Sequence, residues 1–259
     1  MAKNGDKKFL TAEEFRRQGL YEAAAQAYHE AAAEFKEDQN FSQQAEAFTS
    51  LGQMYHGMLS DYERALQSFQ QSLRVRQIYG LKNLSHEYYH VAEQQNYLGH
   101  LEEAKDNLER ARHAAKREEN HQVLGKALIL LSDILVEEGY LDEAEENLRT
   151  CLEMVTERGD DVLIASVQSS IGLLLSCRNK PEEAINACRS ALEHAQQSDA
   201  PETTGRVLLR FGQVLWMAGD HDQARKYLDQ AQQTAARTNL RILQQTATDW
   251  LSRCRMEEK

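Results

Sequence analysis

The chain has 259 residues, 41% hydrophobic and 27% charged, with only 2 prolines and 13 glycines, which supplies a core and leaves little sequence for long loops. Its 41 acids against 30 bases give a net charge of -11. An acidic body repels phosphate backbones and anionic lipid, so neither nucleic acid nor a membrane surface is an expected partner.

Taken in chain order, the opening "MAKNGDKKFLTAEEF" has lysines but no apolar h-region, so no secretory leader is expected. Thr11 and Glu14 read as a capping pair for a first short helix. A phrase then recurs: "GLYEAAAQAYHEA" from Gly19, "SDYERALQSFQQS" from Ser60, "GHLEEAKDNLERA" from Gly99, "GYLDEAEENLRTC" from Gly139, "NKPEEAINACRSA" from Asn179 and "GDHDQARKYLDQA" from Gly219. Its shared alanine falls at Ala24, Ala65, Ala104, Ala144, Ala184 and Ala224, in steps of 41, 39, 40, 40 and 40 residues. The longer first step places a one-residue insertion in "HGMLSDY", where a longer turn is expected. Asp199 with Glu202 reads as a second capping pair, and Pro181 and Pro201 fall at helix starts, where a missing amide donor costs little. The last stretch, "TNLRILQQTATDWLSRCRMEE", carries an apolar stripe of Leu243, Ala247, Trp250, Leu251 and Cys254 with a polar opposite side.

Each unit explains itself physically. Leu128, Leu131, Ser132 and Leu135 share one helical face before the phrase, and Ala144, Leu148 and Cys151 form a second stripe after its start. The small residue of the first stripe is Gly52, Ala92, Ser132, Gly172 or Gly212 in successive units. Gly139 ends the first helix, as glycine accepts the left-handed backbone there, and Asp142 and Glu143 follow in the next helix's first turn, where the dipole favours negative charge. Small residues on both helices let two antiparallel axes approach closely, so the unit is a helical hairpin. One hairpin cannot cover both its faces, so neighbours must stack in file.

These features resemble the tetratricopeptide repeat in its 40-residue form, the form of kinesin light chains and Pins-type polarity adaptors. The resemblance covers about residues 8–237 and implies an all-α, right-handed superhelix (α-solenoid): six helix–turn–helix repeats plus a C-terminal capping helix, thirteen helices in all. Expected boundaries within this one solenoid, 1–259, are 8–39, 40–82, 83–120, 121–160, 161–199 and 200–238, with the cap at 239–256.

Nothing points to catalysis. The chain has no G-x-G-x-x-G, G-x-x-x-x-G-K-[ST] or H-E-x-x-H. His86 and His90 are four apart but have no third ligand beside them, so no metal is expected. The acid pairs Glu102–Glu103, Glu145–Glu146 and Glu182–Glu183 recur in register with the repeat and read as solvated surface. Cys151, Cys177, Cys188 and Cys254 form no C-x-x-C pair and suit a reducing, cytoplasmic setting, with Cys151 and Cys188 as packing residues. No cofactor is expected. The sequons at Asn40 and Asn83 are read as chance, and no run approaches a membrane span.

In the family that this chain resembles, first helices line the concave groove. By register the candidates are Phe9, Glu13 and Arg16; Glu46, Thr49, Gln53 and His56; His86, Tyr89, Glu93 and Asn96; Lys126, Ile129 and Asp133; Ser166, Ser169, Leu173 and Ser176; and Arg206, Leu209, Arg210, Gln213 and Trp216. Members that clamp chaperone tails use basic residues where this chain has Phe9, Thr49, Tyr89, Ile129, Ser169 and Leu209, so that mode is not expected. The peptide-holding asparagines of the 40-residue members are likewise missing, with Gln53 and Gln213 alone keeping amide chemistry. The preferred groove set is Tyr89, Asn96, Lys126, Arg206, Arg210, Gln213 and Trp216, with Tyr89 and Trp216 as aromatic anchors. The two arginines suggest a segment bearing an acid and an apolar residue. The expected role is a non-catalytic scaffold or adaptor, a monomer or weak homodimer, holding a peptide or protein segment. A peptide-sensing regulator and an assembly or secretion chaperone are the alternatives, since fold alone does not choose.

Overall fold

Every repeated phrase folds as helix. The computed structural model describes residues 4–238 and 240–256, and thirteen α-helices occupy them. Between Ala127 and Leu128, within one helix, the chain divides into two compact units. The first holds α1 (Asn4–Arg17), α2 (Tyr21–Glu37), α3 (Phe41–Met54), α4 (Tyr62–Ile78), α5 (Leu84–Tyr97), α6 (Leu101–Arg117) and the start of α7 (His121–Glu138). The second holds the rest of α7, then α8 (Leu141–Arg158), α9 (Asp161–Cys177), α10 (Pro181–Gln197), α11 (Pro201–Met217), α12 (His221–Thr238) and α13 (Arg241–Met256). Among the described residues no helix is long and apolar enough to cross a membrane. The expected cap began at residue 239, which lies outside the described residues.

The repeat alanines are the hinge points of packing. All six, from Ala24 to Ala224, are fully buried. Opposite them the small residues do what their size suggests. A Cβ at Gly52 would meet the Phe69 ring at 2.8 Å, one at Gly172 the Cys188 Sγ at 2.5 Å, and one at Gly212 the Leu228 Cγ at 2.6 Å. Side chains that small allow paired axes to close up, which gains dispersion contacts along both helices. At the hairpin turn Gly139 takes φ 86°, its N–H bonds Val136 O at 3.1 Å, and Tyr140 N–H bonds Leu135 O at 2.8 Å. That closes the orphan carbonyls of α7. Asn179, φ 59°, fills the same role where the phrase lacks glycine.

In the first unit each helix packs on its chain neighbour from α1 to α6. A buried polar cluster joins α3, α4 and α5. Arg76 Nε bonds Glu87 Oε1 at 3.1 Å, Thr49 donates to the same oxygen at 2.6 Å, and Thr49 also meets Ser72 at 2.9 Å. Arg76 is 4% and Glu87 1% exposed, so this is an ion pair out of water. The start of α5 is closed from a distance: Asn83, at φ 66°, makes no cap, and Glu118 accepts from Leu84 N–H at 2.9 Å and Ser85 N–H at 3.3 Å.

The second unit has two layers. Chain neighbours pack from α8 to α13, and in addition α9 touches α11 and α11 touches α13. The first helices of successive hairpins therefore share a layer, and α13, with Leu243, Ala247, Leu251 and Cys254 buried, completes it.

Three local expectations change. The inserted residue near His56 does not lengthen a loop. It is absorbed as a π-helical turn, Tyr55–Leu59, closed by Asp61 N–H on Tyr55 O at 3.0 Å, with Ser60 left-handed at φ 54°. Thr11 is no cap, because α1 starts seven residues earlier at Asn4 and Thr11 instead donates to Lys7 O within it. Asp199 is left-handed at φ 50° and closes the turn after α10, while Ala200 occupies the position before Pro201. Both prolines do stand at the first helical position.

Candidate functional site

The groove candidates divide between the two units. In the first, α5 carries Tyr89, Glu93 and Asn96 at helical spacings that share one half-buried face. Tyr89 donates its hydroxyl to Glu93 Oε1 at 3.0 Å, and Lys126 Nζ lies 6.0 Å from the centre of its ring, at the limit of a cation–π contact. Burial, then the neighbouring His90 and Lys126 charges, pushes the His86 pKa down, so its ring is neutral near pH 7. His90 stacks on Phe69 with ring centres 4.6 Å apart, and its ring centre is 6.4 Å from that of His86. Among the described residues no group of three or more His, Cys, Asp or Glu is placed to hold a metal ion. Thr49 is committed to the buried cluster, Phe9 packs on Tyr28 and Phe35, and Glu13 bonds Tyr28 and Arg16.

In the second unit the first-helix layer encloses a cleft of about 370 Å³. Its lining is Glu137 from α7, Leu173 from α9, Arg206, Leu209, Arg210, Gln213 and Met217 from α11, and Trp250 from α13. The positions 206, 209, 210, 213 and 217 repeat at three and four, so one stripe of α11 forms the floor. Arg206, Arg210 and Gln213 are thus brought together as expected by register. Trp216 is not on the lining. It is half-buried among Leu228, Leu251 and Cys254, with its ring 4.0 Å from that of His221. Trp250, assigned by the sequence to the packing stripe, supplies the indole of the cleft instead. Met217 and Glu137 were also missed, although each stands one turn beyond a candidate, Gln213 and Asp133, and that spacing was the signal available.

The electrostatics differ from a bare basic cluster. Arg210 is paired with Asp133 Oδ2 at 2.9 Å, both side chains about one-fifth exposed. Arg206 is paired with Glu202 one turn earlier, both more than half exposed, a weak contact in water. Glu137 makes no hydrogen bond or ion pair among the described residues. Partial burial of its carboxyl, and next the Asp133 charge, push its pKa up from its ordinary value, with Arg210 offsetting part of this. The Oδ1 atom of Asp133 is enclosed and has no hydrogen-bond partner.

Cys151 and Cys188 are buried and held in the less reactive thiol form. Burial pushes Cys188 up to about 12, only partly offset by Arg210, and burial alone does the same for Cys151. The acid pairs noted in the sequence, such as Glu102–Glu103 and Glu182–Glu183, are exposed in first turns of helices.

Comparison with known proteins gives a consistent picture. Tetratricopeptide-repeat family models match residues 125–154 and 163–237. No curated protein sequence matches. Among solved structures the chain is similar to BtubC (BKLC) from P. vanneervenii, at 17% identity and TM-score 0.59 over 92% of this chain and 93% of that one. It is similar to NprR in complex with its cognate peptide NprX, at 17% identity and TM-score 0.68 over 97% of this chain and 71% of that one. It is also similar to the apo form of RapI, at 12% identity and TM-score 0.68 over 97% of both chains. At these identities the likeness is one of fold.

Proposed function

Because this chain belongs to the tetratricopeptide-repeat superfamily, we propose that it is a non-catalytic cytoplasmic adaptor whose second unit captures a peptide or protein segment in the cleft on α11. One observation carries the reading: charged and apolar side chains from α7, α9, α11 and α13 converge on a space of about 370 Å³, the mixture by which small recognition sites orient a ligand. Tyr89, Asn96 and Lys126 form a second, separate contact patch in the first unit. The likeness to NprR crystallised with a peptide favours one variant of this function, a regulator that changes shape when a short peptide binds.

The test places a photo-crosslinking residue at Gln213 or, as a control, at the exposed Glu193 of α10. Partner segments crosslink at position 213 and not at 193; crosslinking confined to 193 would remove the cleft from consideration. A ligand-dependent change in small-angle scattering separates the sensor from the rigid adaptor.

A further inference from the structure

Resting on the docking reading above, we infer that the cleft selects a positively charged segment: an apolar side chain seats against Leu173, Leu209 and Trp250 while an adjacent Lys or Arg reaches the carboxylate of Glu137. The argument is one of charge already spent. Each arginine at the cleft has an internal carboxylate, Arg210 with Asp133 and Arg206 with Glu202. An acidic ligand must displace one of these to gain the other's place. The carboxylates are not matched in return. Among the described residues Glu137 is the one carboxylate on the lining and has no such partner, while both guanidiniums do, so the unspent charge falls on α7.

Asp133 and Glu137 stand one turn apart on that helix, where like charges repel. Asp133 is spent on Arg210 and its Oδ1 is enclosed, out of a ligand's reach, whereas Glu137 is exposed and makes no hydrogen bond or ion pair among the described residues. A Lys or Arg of a bound segment supplies a charged donor to Glu137 and offsets its repulsion with Asp133. The apolar half of the site lies beside it, since Leu173, Leu209, Met217 and Trp250 line the same cleft. The net charge of -11 draws a cationic segment toward the protein from a distance.

A displayed library of random heptapeptides, selected on the intact protein, tests this. Selected peptides are expected to pair Leu, Ile, Phe or Met with a neighbouring Lys or Arg. Synthetic copies, measured by fluorescence anisotropy, bind Glu137→Gln about tenfold more weakly, the loss of roughly one charge-assisted hydrogen bond. Added salt weakens wild type more than Glu137→Gln, and Arg206→Ala leaves binding intact or tighter. Gln213→Trp, which fills the cleft without removing a packed side chain, abolishes it; circular dichroism verifies that each variant is folded. Peptides rich in Asp or Glu that are lost with Arg206→Ala, or basic peptides indifferent to Glu137→Gln, overturn the charge assignment while leaving the cleft as the docking site. No enriched peptide at all, or peptides indifferent to Gln213→Trp, removes the docking reading and this inference with it.

Discussion

At the scale of single residues, Gly172 sits in one of the closest helix crossings of the second unit. A methyl there would sit 2.5 Å from Cys188 Sγ and 3.2 Å from the Ala184 carbonyl oxygen, and the latter belongs to a backbone that cannot yield. Gly172→Ala is therefore expected to cost about 1–3 kcal/mol by urea denaturation. Gly57→Ala, with nothing within 4 Å of its Cβ and a helical backbone, should instead stabilise by about 0.4–1 kcal/mol. Among the cysteines, Cys151, Cys188 and Cys254 are buried and Cys177 is exposed, so a maleimide should label one site in the folded protein and the others only after unfolding. The small residues and the alanine ladder were readable in advance, because a close helix crossing dictates size at fixed spacing. The choice between Trp216 and Trp250 was not. Both lie at the edge of their helices' apolar stripes, and which indole faces the cleft depends on how α13 is rotated about its axis against α11, a tertiary quantity.

At the scale of elements, helix ends carry the testable content. Asp61 accepts from Arg64 N–H at 2.9 Å and so caps α4. Burial alone would raise its pKa, but that backbone bond and then the Arg64 guanidinium outweigh it and hold the carboxyl below its ordinary value of 3.8. A carboxyl lowered by folding stabilises the native state above the unfolded pKa and loses that contribution as pH falls through the folded one. Asp61→Ala should accordingly cost about 1 kcal/mol near neutral pH, and the gap from wild type should close when thermal melts are repeated below pH 3.8. Glu118→Ala leaves Leu84 and Ser85 N–H without their acceptor and should cost about 1–2 kcal/mol. The missed caps have physical reasons. The start "NGDKK" has little apolar signal, yet α1 reaches back to Asn4 because Gly5 fits beneath the Phe35 ring and Lys8 pairs with Glu34 at 2.8 Å. Asp199 resembles a cap in sequence because capping boxes and left-handed turn closures favour the same small polar residues.

At the scale of the whole molecule, the stacking logic was legible from the 40-residue period and the handling of the extra residue was not. Hydrophobic spacing locates an insertion but not whether a loop or a π-helical turn takes it up. Both tryptophans, Trp216 and Trp250, belong to the second unit, so indole fluorescence follows that unit while far-ultraviolet circular dichroism follows every helix. In a protein stabilised by contacts between neighbouring repeats, Gly52→Ala should shift the dichroism transition more than the fluorescence one. Gly172→Ala should do the reverse. Equal shifts would show one cooperative block. The Arg76–Glu87 pair bears on a hazard that uniform modules bring with them. Hairpins alike in length and alanine placement can settle beside the wrong sibling as the chain is synthesised. A hairpin so misplaced would take away the buried Glu87 and leave the Arg76 guanidinium only the half-exposed Glu46 of its own hairpin, a cost of a few kcal/mol; the junction of α4 with α5 thus works as a keyed joint, favouring one order of assembly over the rest.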